Sequence, residues 1–137
     1  MKIYRIPKIA DETYMKEYFN IEVLKNIYLE DSYVLEIIEQ SDKILFKVDF
    51  VLCESHPYYK TPQINERYCY RHGEIIFSEI VEIRWIEKNT ENYSYDANNL
   101  KDLGNIDSFF YEGNKYFLEG SWGEVIIESN TIQLVLH

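Results

Sequence analysis

The stretch Lys43-Ile-Leu-Phe-Lys-Val-Asp-Phe-Val-Leu52 decides the fold expected for this chain. Its apolar residues alternate with more polar positions, which include Lys47 and Asp49. Successive side chains of a β-strand point to opposite faces of the sheet. The alternation therefore predicts a strand with one face in a core and the other in water, and it predicts no chemistry by itself.

Patterning on both sides of this stretch extends the sheet. Residues 33–39 alternate in the same way, and Ser41-Asp42 separates them from residues 43–52, so the two segments predict an antiparallel hairpin. Further strands are predicted at residues 74–87, 108–112, 115–119, 124–128 and 131–136, with turns at Gly113-Asn114 and Ser129-Asn130. Residues 53–73 and 88–105 are irregular and predict loops.

Glu79 is the one charged residue on the otherwise apolar face predicted for residues 74–87. A polar residue that interrupts such a face indicates a β-bulge or the rim of a barrel.

The N-terminal part has a different period. Residues 2–6 predict a short strand that ends at Pro7. From Asp11 to about residue 29, apolar and aromatic residues recur at spacings of three and four, which predicts an amphipathic helix. These residues are Tyr14, Tyr18, Ile21, Leu24 and Tyr28. The alternative is that Asn20 divides this segment into two shorter helices.

Together these elements predict one domain over residues 1–137 that is mainly β (α+β). The expected fold is an antiparallel rolled sheet, barrel or sandwich of about seven strands with one N-terminal helix. A barrel and a sandwich produce the same alternation, so both architectures stay open here.

Charge and hydropathy restrict the partners. Fourteen Lys and Arg against 24 Asp and Glu give a net charge of −10. This charge repels phosphate backbones and anionic lipid and attracts a basic protein, so we expect a basic protein partner, no nucleic acid and no membrane. No apolar run reaches the ~20 residues that cross a bilayer, and the first residues lack the apolar segment of a signal peptide, so a cytoplasmic location is expected.

Two Cys-x-x-His pairs, Cys53/His56 and Cys69/His72, have a spacing found in zinc knuckles. Gly73 follows the second pair and suits such a turn, whereas Pro57 favours an extended backbone at His56. The alternative is that the cysteines are small buried hydrophobes and the histidines are incidental. Zinc is the one cofactor that the sequence suggests, and no other is expected.

Motifs for catalysis are missing from the sequence. It has no Gly-x-Ser-x-Gly elbow and no glycine-rich phosphate loop. We therefore assign no catalytic residue. Glu79 remains a candidate for the lining of a ligand site.

Aromatic and acidic residues in or beside the predicted loops form the candidate partner-binding set. Tyr and Trp on such loops make binding surfaces of low conformational entropy, and acidic neighbours complement Lys and Arg on a partner. The alternative is that these rings fold back over the open ends of the sheet. The set is Tyr58, Tyr59, Tyr68, Tyr70, Tyr93, Tyr95, Asp96 and Trp122.

Two segments carry a resemblance to a known group. Leu29-Glu-Asp-Ser-Tyr-Val-Leu-Glu-Ile37, which leads into the hairpin, and Gly120-Ser-Trp-Gly-Glu-Val-Ile-Ile127 resemble segments of small bacterial mainly-β domains, some of which are immunity proteins of toxin–antitoxin loci. The resemblance implies a binding role, with neutralisation of a basic, nuclease-like toxin as one form of it. It implies no site residues.

Three hypotheses follow. The chain is an immunity-like protein-binding module with an acidic, Tyr-rich loop surface, or a small-molecule-binding or enzymatic β-barrel domain with a ligand in its mouth, or a zinc-stabilised module.

Overall fold

A computed structural model describes residues 15–91, 94–95 and 101–137, and these form mainly antiparallel strands. The strands are β1 (Lys16–Glu17), β2 (Ile27–Glu39), β3 (Lys43–Leu52), β4 (Cys69–Lys88), β5 (Ser94–Tyr95), β6 (Lys101–Asp102), β7 (Gly104–Glu112), β8 (Lys115–Gly120) and β9 (Gly123–Leu136). The strand predicted at residues 2–6 and the start of the predicted helix lie outside the described residues.

Six of the strands close into a barrel in the order β7-β2-β3-β4-β9-β8, because β7 also pairs with β8. The pairing of Tyr33 with Asn105 and of Val34 with Gly104 joins β2 to β7. The short β1 adds to β7 as an extra strand, and β5 pairs with β6 alone. The structure thus selects the barrel over the sandwich.

The hairpin predicted from residues 33–52 is confirmed, although β2 begins earlier, at Ile27. The bulge predicted near Glu79 is also confirmed. Glu79 has a φ of 52°, and the register between β4 and β9 shifts between Ile80 and Glu82, which leaves Val81 57% exposed. Pairing of β4 with β3 ends at Ser78 just before this bulge.

The N-terminal helix is a wrong prediction for the described residues from 15 onward. Tyr18–Asn20 and Glu22–Leu24 form two separate 3-10 turns, and Ile21 between them is extended. A 3-10 turn has three residues, so the same spacing buries Tyr18, Ile21 and Leu24 without an α-helix. Asn26, with a φ of 63°, then redirects the chain into β2. No helix in the described ranges is long and apolar enough to span a membrane.

The turn predicted at Ser129-Asn130 is also wrong, because β9 continues through it as one strand of 14 residues. The Ser129 side chain is buried, and its hydroxyl donates a hydrogen bond to the carbonyl of Ser78 on β4 at 2.5 Å. The Ser129 N–H donates to the carbonyl of Asn114 in the β7–β8 turn at 2.9 Å. Contacts from both sides therefore hold these two residues in the strand.

Aromatic side chains fill the interior of the barrel. The rings of Phe46 and Trp122 lie 5.4 Å apart, and those of Phe77 and Tyr116 lie 5.0 Å apart. Phe109 contacts both Phe77 and Tyr116. All five residues are less than a tenth exposed, so these rings occupy the space that an interior ligand would need.

A wide bulge in β2 shapes the outer surface near its start. Tyr28 pairs with Val51, and Tyr33 pairs with Asp49. Between these two pairs β2 has more residues than β3, and the extra residues form the bulge. The buried Ser32 secures this bulge. Its hydroxyl donates to the carbonyl of Tyr28 at 2.7 Å and accepts from the N–H of Val51 at 2.8 Å.

Ser32→Ala is expected to lower the free energy of unfolding by about 1–3 kcal/mol, because it leaves the buried N–H of Val51 without its acceptor. Urea denaturation of the two proteins measures this difference. The matched control is Ser55→Ala, which removes an exposed bond to Asn26, and the expected change is below ~0.5 kcal/mol. Equal effects of the two substitutions would contradict the role of Ser32.

Candidate functional site

Two cross-strand rows place tyrosines together on the outer face of β2, β3 and β4. In the first row, Tyr28 and Tyr70 flank Val51. In the second row, Tyr33 and His72 flank Asp49. Val48 and Phe50 alternate with these β3 positions and point into the core. We call this outer surface the tyrosine face; its residues are Tyr28, Asp31, Tyr33, Asp49, Tyr68, Tyr70 and His72.

The rings of the tyrosine face contact one another. The Tyr33 and Tyr70 rings meet edge to face with centroids 5.8 Å apart, and the Tyr68 and Tyr70 rings do so at 6.1 Å. Tyr28 is 41% exposed. Edge-to-face pairs hold rings in fixed orientations, so the face presents ordered aromatic surface to the solvent.

Carboxylates lie among these rings and shift the ionisation of their hydroxyls. A hydrogen bond to Asp31 is the main cause that raises the pKa of Tyr68. The pKa of Tyr70 is raised first by burial and then by the charges of Asp49 and Asp31. Because both phenols stay protonated, they can serve as hydrogen-bond donors beside negative charge.

Asp49 lies at the centre of the tyrosine face. Its side chain is only 12% exposed, and its Oδ1 atom lies 3.3 Å from Nδ1 of His72, whose own side chain is 58% exposed. A largely covered carboxylate on the outside of a barrel is unusual, because burial of a charge is unfavourable without a good partner.

The loop between β3 and β4 carries the other predicted residues of this region. Tyr58 is 52% exposed, and the Arg71 guanidinium lies 4.9 Å from the centroid of its ring. The Arg71 Nε–H also donates to the carbonyl of His137. Tyr59 packs partly against the core. Thus Tyr58 is available to a partner, whereas Tyr59 helps to cover the barrel end.

The structure treats the other residues of the predicted partner-binding set differently; they are Tyr93, Tyr95, Asp96 and Trp122. Tyr95, in β5, is 60% exposed. Tyr93 and Asp96 lie outside the described residues. Trp122 is a correction: it is fully buried, and its indole N–H donates to the carbonyl of Asn105 at 3.0 Å. A ring that closes the core cannot offer surface to a partner, so we leave Trp122 out of the site.

The residues of the second Cys-x-x-His pair point to opposite faces of β4, although the pairing of Cys69 with Leu52 brings Cys69 close to Cys53. Cys69 packs toward the core while His72 lies on the outer face of β4, as strand geometry requires of residues three apart. The Cys69 sulfur accepts a hydrogen bond from the N–H of Lys60, and Nδ1 of His56 accepts one from the N–H of Tyr58. Within the described ranges, no group of three or more His, Cys, Asp or Glu residues is arranged to hold a metal ion.

Cys53 and Glu79 also lack the surroundings of reactive groups. Burial, followed by the charge of Glu30, raises the pKa of the Cys53 thiol, which opposes the thiolate that a nucleophile or zinc ligand needs. Glu79 is exposed on the outside of the barrel and does not line its interior.

Sequence reasoning found Tyr68 and Tyr70 but missed Tyr28, Tyr33 and Asp49. The spacing of apolar residues assigns Tyr28 to a helix, and the alternation assigns Tyr33 and Asp49 to strands without indicating a binding role. The outward positions of the hairpin were a usable signal, because Tyr33 and Asp49 both lie opposite the apolar face of residues 33–52.

Comparison of the chain with protein-family models, with curated proteins and with solved structures finds no match. The geometry of the tyrosine face is therefore the main indication of function.

Proposed function

We propose that this chain is a protein-binding module that captures a basic protein through the tyrosine face, in the manner of an immunity protein that neutralises a basic toxin. The observation that carries the proposal is the clustering of exposed and partly exposed tyrosine rings around Asp31 and Asp49 on three adjacent strands. Tyrosines supply a large, rigid contact area, and centrally placed aromatic side chains provide much of the binding energy in protein interfaces.

Charge supports the same function. The net charge of −10 speeds the approach of a cationic partner, and the acids within the tyrosine face would guide it to this surface. In the next cross-strand row, Lys47 of β3 lies between Glu36 of β2 and Glu74 of β4, so acidic residues continue along the same two strands. The rigid barrel beneath the face supports a preformed surface that changes little on binding.

We expect a neighbouring gene to encode the basic partner, and the test captures that protein at low salt and measures its binding by calorimetry; a neighbourhood without such a gene would count against the proposal. Tyr70→Ala is expected to weaken binding roughly 10- to 100-fold, because Tyr70 contacts both Tyr33 and Tyr68 at the centre of the face. Raising the salt concentration is expected to weaken binding further, as it does for charge-steered complexes.

Phe117→Ala provides the matched control. Phe117 is an outward, partly exposed aromatic residue of β8, and β8 lies opposite β3 in the order of the barrel strands. Its truncation is expected to leave the affinity unchanged. An equal loss of affinity in both variants, or no loss in Tyr70→Ala, would refute the tyrosine face as the binding surface.

A further inference from the structure

The low exposure of Asp49 indicates a specific binding site in addition to a negatively charged surface. Its carboxylate lies between the flanking residues Tyr33 and His72 with only 12% of the side chain exposed, and the largely exposed imidazole of His72 lies 3.3 Å away. Such a contact offsets only part of the desolvation cost of the carboxylate. A fully charged, hydrogen-bonding cation would offset more of that cost.

Among the described residues, Lys47, Arg67 and Arg71 make their recognised contacts away from Asp49. Lys47, two residues away on the same face of β3, is paired with Glu36 at 3.8 Å. Arg71 lies over the ring of Tyr58, and Arg67 lies over the ring of Tyr68 at 5.5 Å. The two arginines also show that guanidinium groups stack on tyrosine rings in this part of the molecule.

We propose, on the basis of the proposed function, that Asp49 receives an arginine side chain of the basic partner. The guanidinium displaces the His72 ring, donates hydrogen bonds to the Asp49 carboxylate, and lies against the rings of Tyr33 and Tyr70. His72 is the group that gives way, because it lies at the solvent side of Asp49 with more than half of its side chain exposed.

Arginine fits this site better than lysine for two reasons. Its planar guanidinium can donate two parallel hydrogen bonds to one carboxylate, and it stacks on aromatic faces. It is also less strongly hydrated than an ammonium group, so it enters a covered site at lower cost. The rings of Tyr33 on β2 and Tyr70 on β4 have their centroids 5.8 Å apart. These two rings supply the aromatic surface.

The experiment titrates the full chain with the peptide acetyl-Gly-Arg-Gly-amide at low salt and follows backbone amide shifts by NMR. Shifts are expected to centre on Asp49, Tyr33 and Tyr70, and the peptide acetyl-Gly-Lys-Gly-amide is expected to bind at least about threefold more weakly. Shifts centred elsewhere, or equal binding of the two peptides, would overturn the proposal.

Two variants separate recognition from folding. Asp49→Asn keeps the shape of the side chain and is expected to abolish arginine binding, whereas His72→Ala is expected to strengthen it roughly threefold or more by removing the competing ring. Glu82→Gln is the control, since it removes an equal charge from an exposed position of β4 beyond the bulge, and it is expected to change binding less than twofold. Loss of binding in His72→Ala, or retained binding in folded Asp49→Asn, would contradict the displacement.

The same variants distinguish this inference from the proposed function. If Tyr70→Ala weakens capture of the basic protein but Asp49→Asn does not, the arginine site is refuted and the tyrosine face is supported. If neither substitution weakens capture, both proposals are refuted.

Discussion

Trp122→Ala is expected to lower the free energy of unfolding by about 3–5 kcal/mol, the usual cost of truncating a large buried aromatic side chain. The Trp122 ring is fully buried and contacts the rings of Phe46 at 5.4 Å and Trp85 at 6.2 Å. Its truncation also leaves the carbonyl of Asn105 without the indole donor that lies 3.0 Å away. Urea denaturation followed by circular dichroism measures the loss.

Tyr58→Ala is the matched control for this prediction, because Tyr58 is an aromatic residue that is 52% exposed. Its ring contacts the Arg71 guanidinium and the His56 ring, and its truncation is expected to cost less than about 1 kcal/mol. A cost for Trp122→Ala no larger than that of Tyr58→Ala would place Trp122 on the surface.

Gly73→Ala is expected to cost about 2–3 kcal/mol, the upper part of the range for overpacking a tightly packed core. A β-carbon built at Gly73 would lie 2.2 Å from the Val135 carbonyl oxygen and 3.1 Å from the Phe50 ring. Since the first of these atoms belongs to the backbone of β9, the β4–β9 pairing itself must shift to make room. The midpoint of urea denaturation is expected to fall with an unchanged slope.

Gly113→Ala separates this crowding from the general effect of replacing a glycine. A β-carbon at Gly113 would meet nothing within 4 Å, but Gly113 has a φ of 58° in the β7–β8 turn. The expected cost is therefore only that of a left-handed backbone, about 1 kcal/mol. If Gly73→Ala costs no more than Gly113→Ala, close packing is not the reason for a glycine at position 73.

The hairpin and the β4 bulge could be predicted because each depends on a local pattern. The alternation in residues 43–52 and the charge at Glu79 are visible without knowledge of the rest of the chain. The helix and the Ser129-Asn130 turn were wrong because tertiary contacts decided both. Spacings of three suit a 3-10 turn as well as an α-helix, and the buried Ser129 hydroxyl bonds across to Ser78 on β4.

The tyrosine face could be predicted only in part, because it depends on register. Tyr68 and Tyr70 lie in the loop predicted at residues 53–73, whose tyrosines indicate a binding surface. Their neighbours Tyr28 and Tyr33 reach the same surface through the bulge that Ser32 secures, and no sequence pattern fixes the length of that bulge. The structure does not support the predicted zinc site for a related reason. As part of β4, Cys69 and His72 point to opposite faces of the strand.

The part of β4 that extends past Ser78, where its pairing with β3 ends, affects the behaviour of the protein at high concentration. Past Ser78, the described residues give β4 a neighbour in β9 but none on the β3 side. Open strand edges recruit other chains and start fibrils. Here the register breaks at two places, near Val81 and near Ile86, and charged side chains follow one another along the outside. A bent, charged edge is a poor template for an incoming strand, so this edge is protected against aggregation.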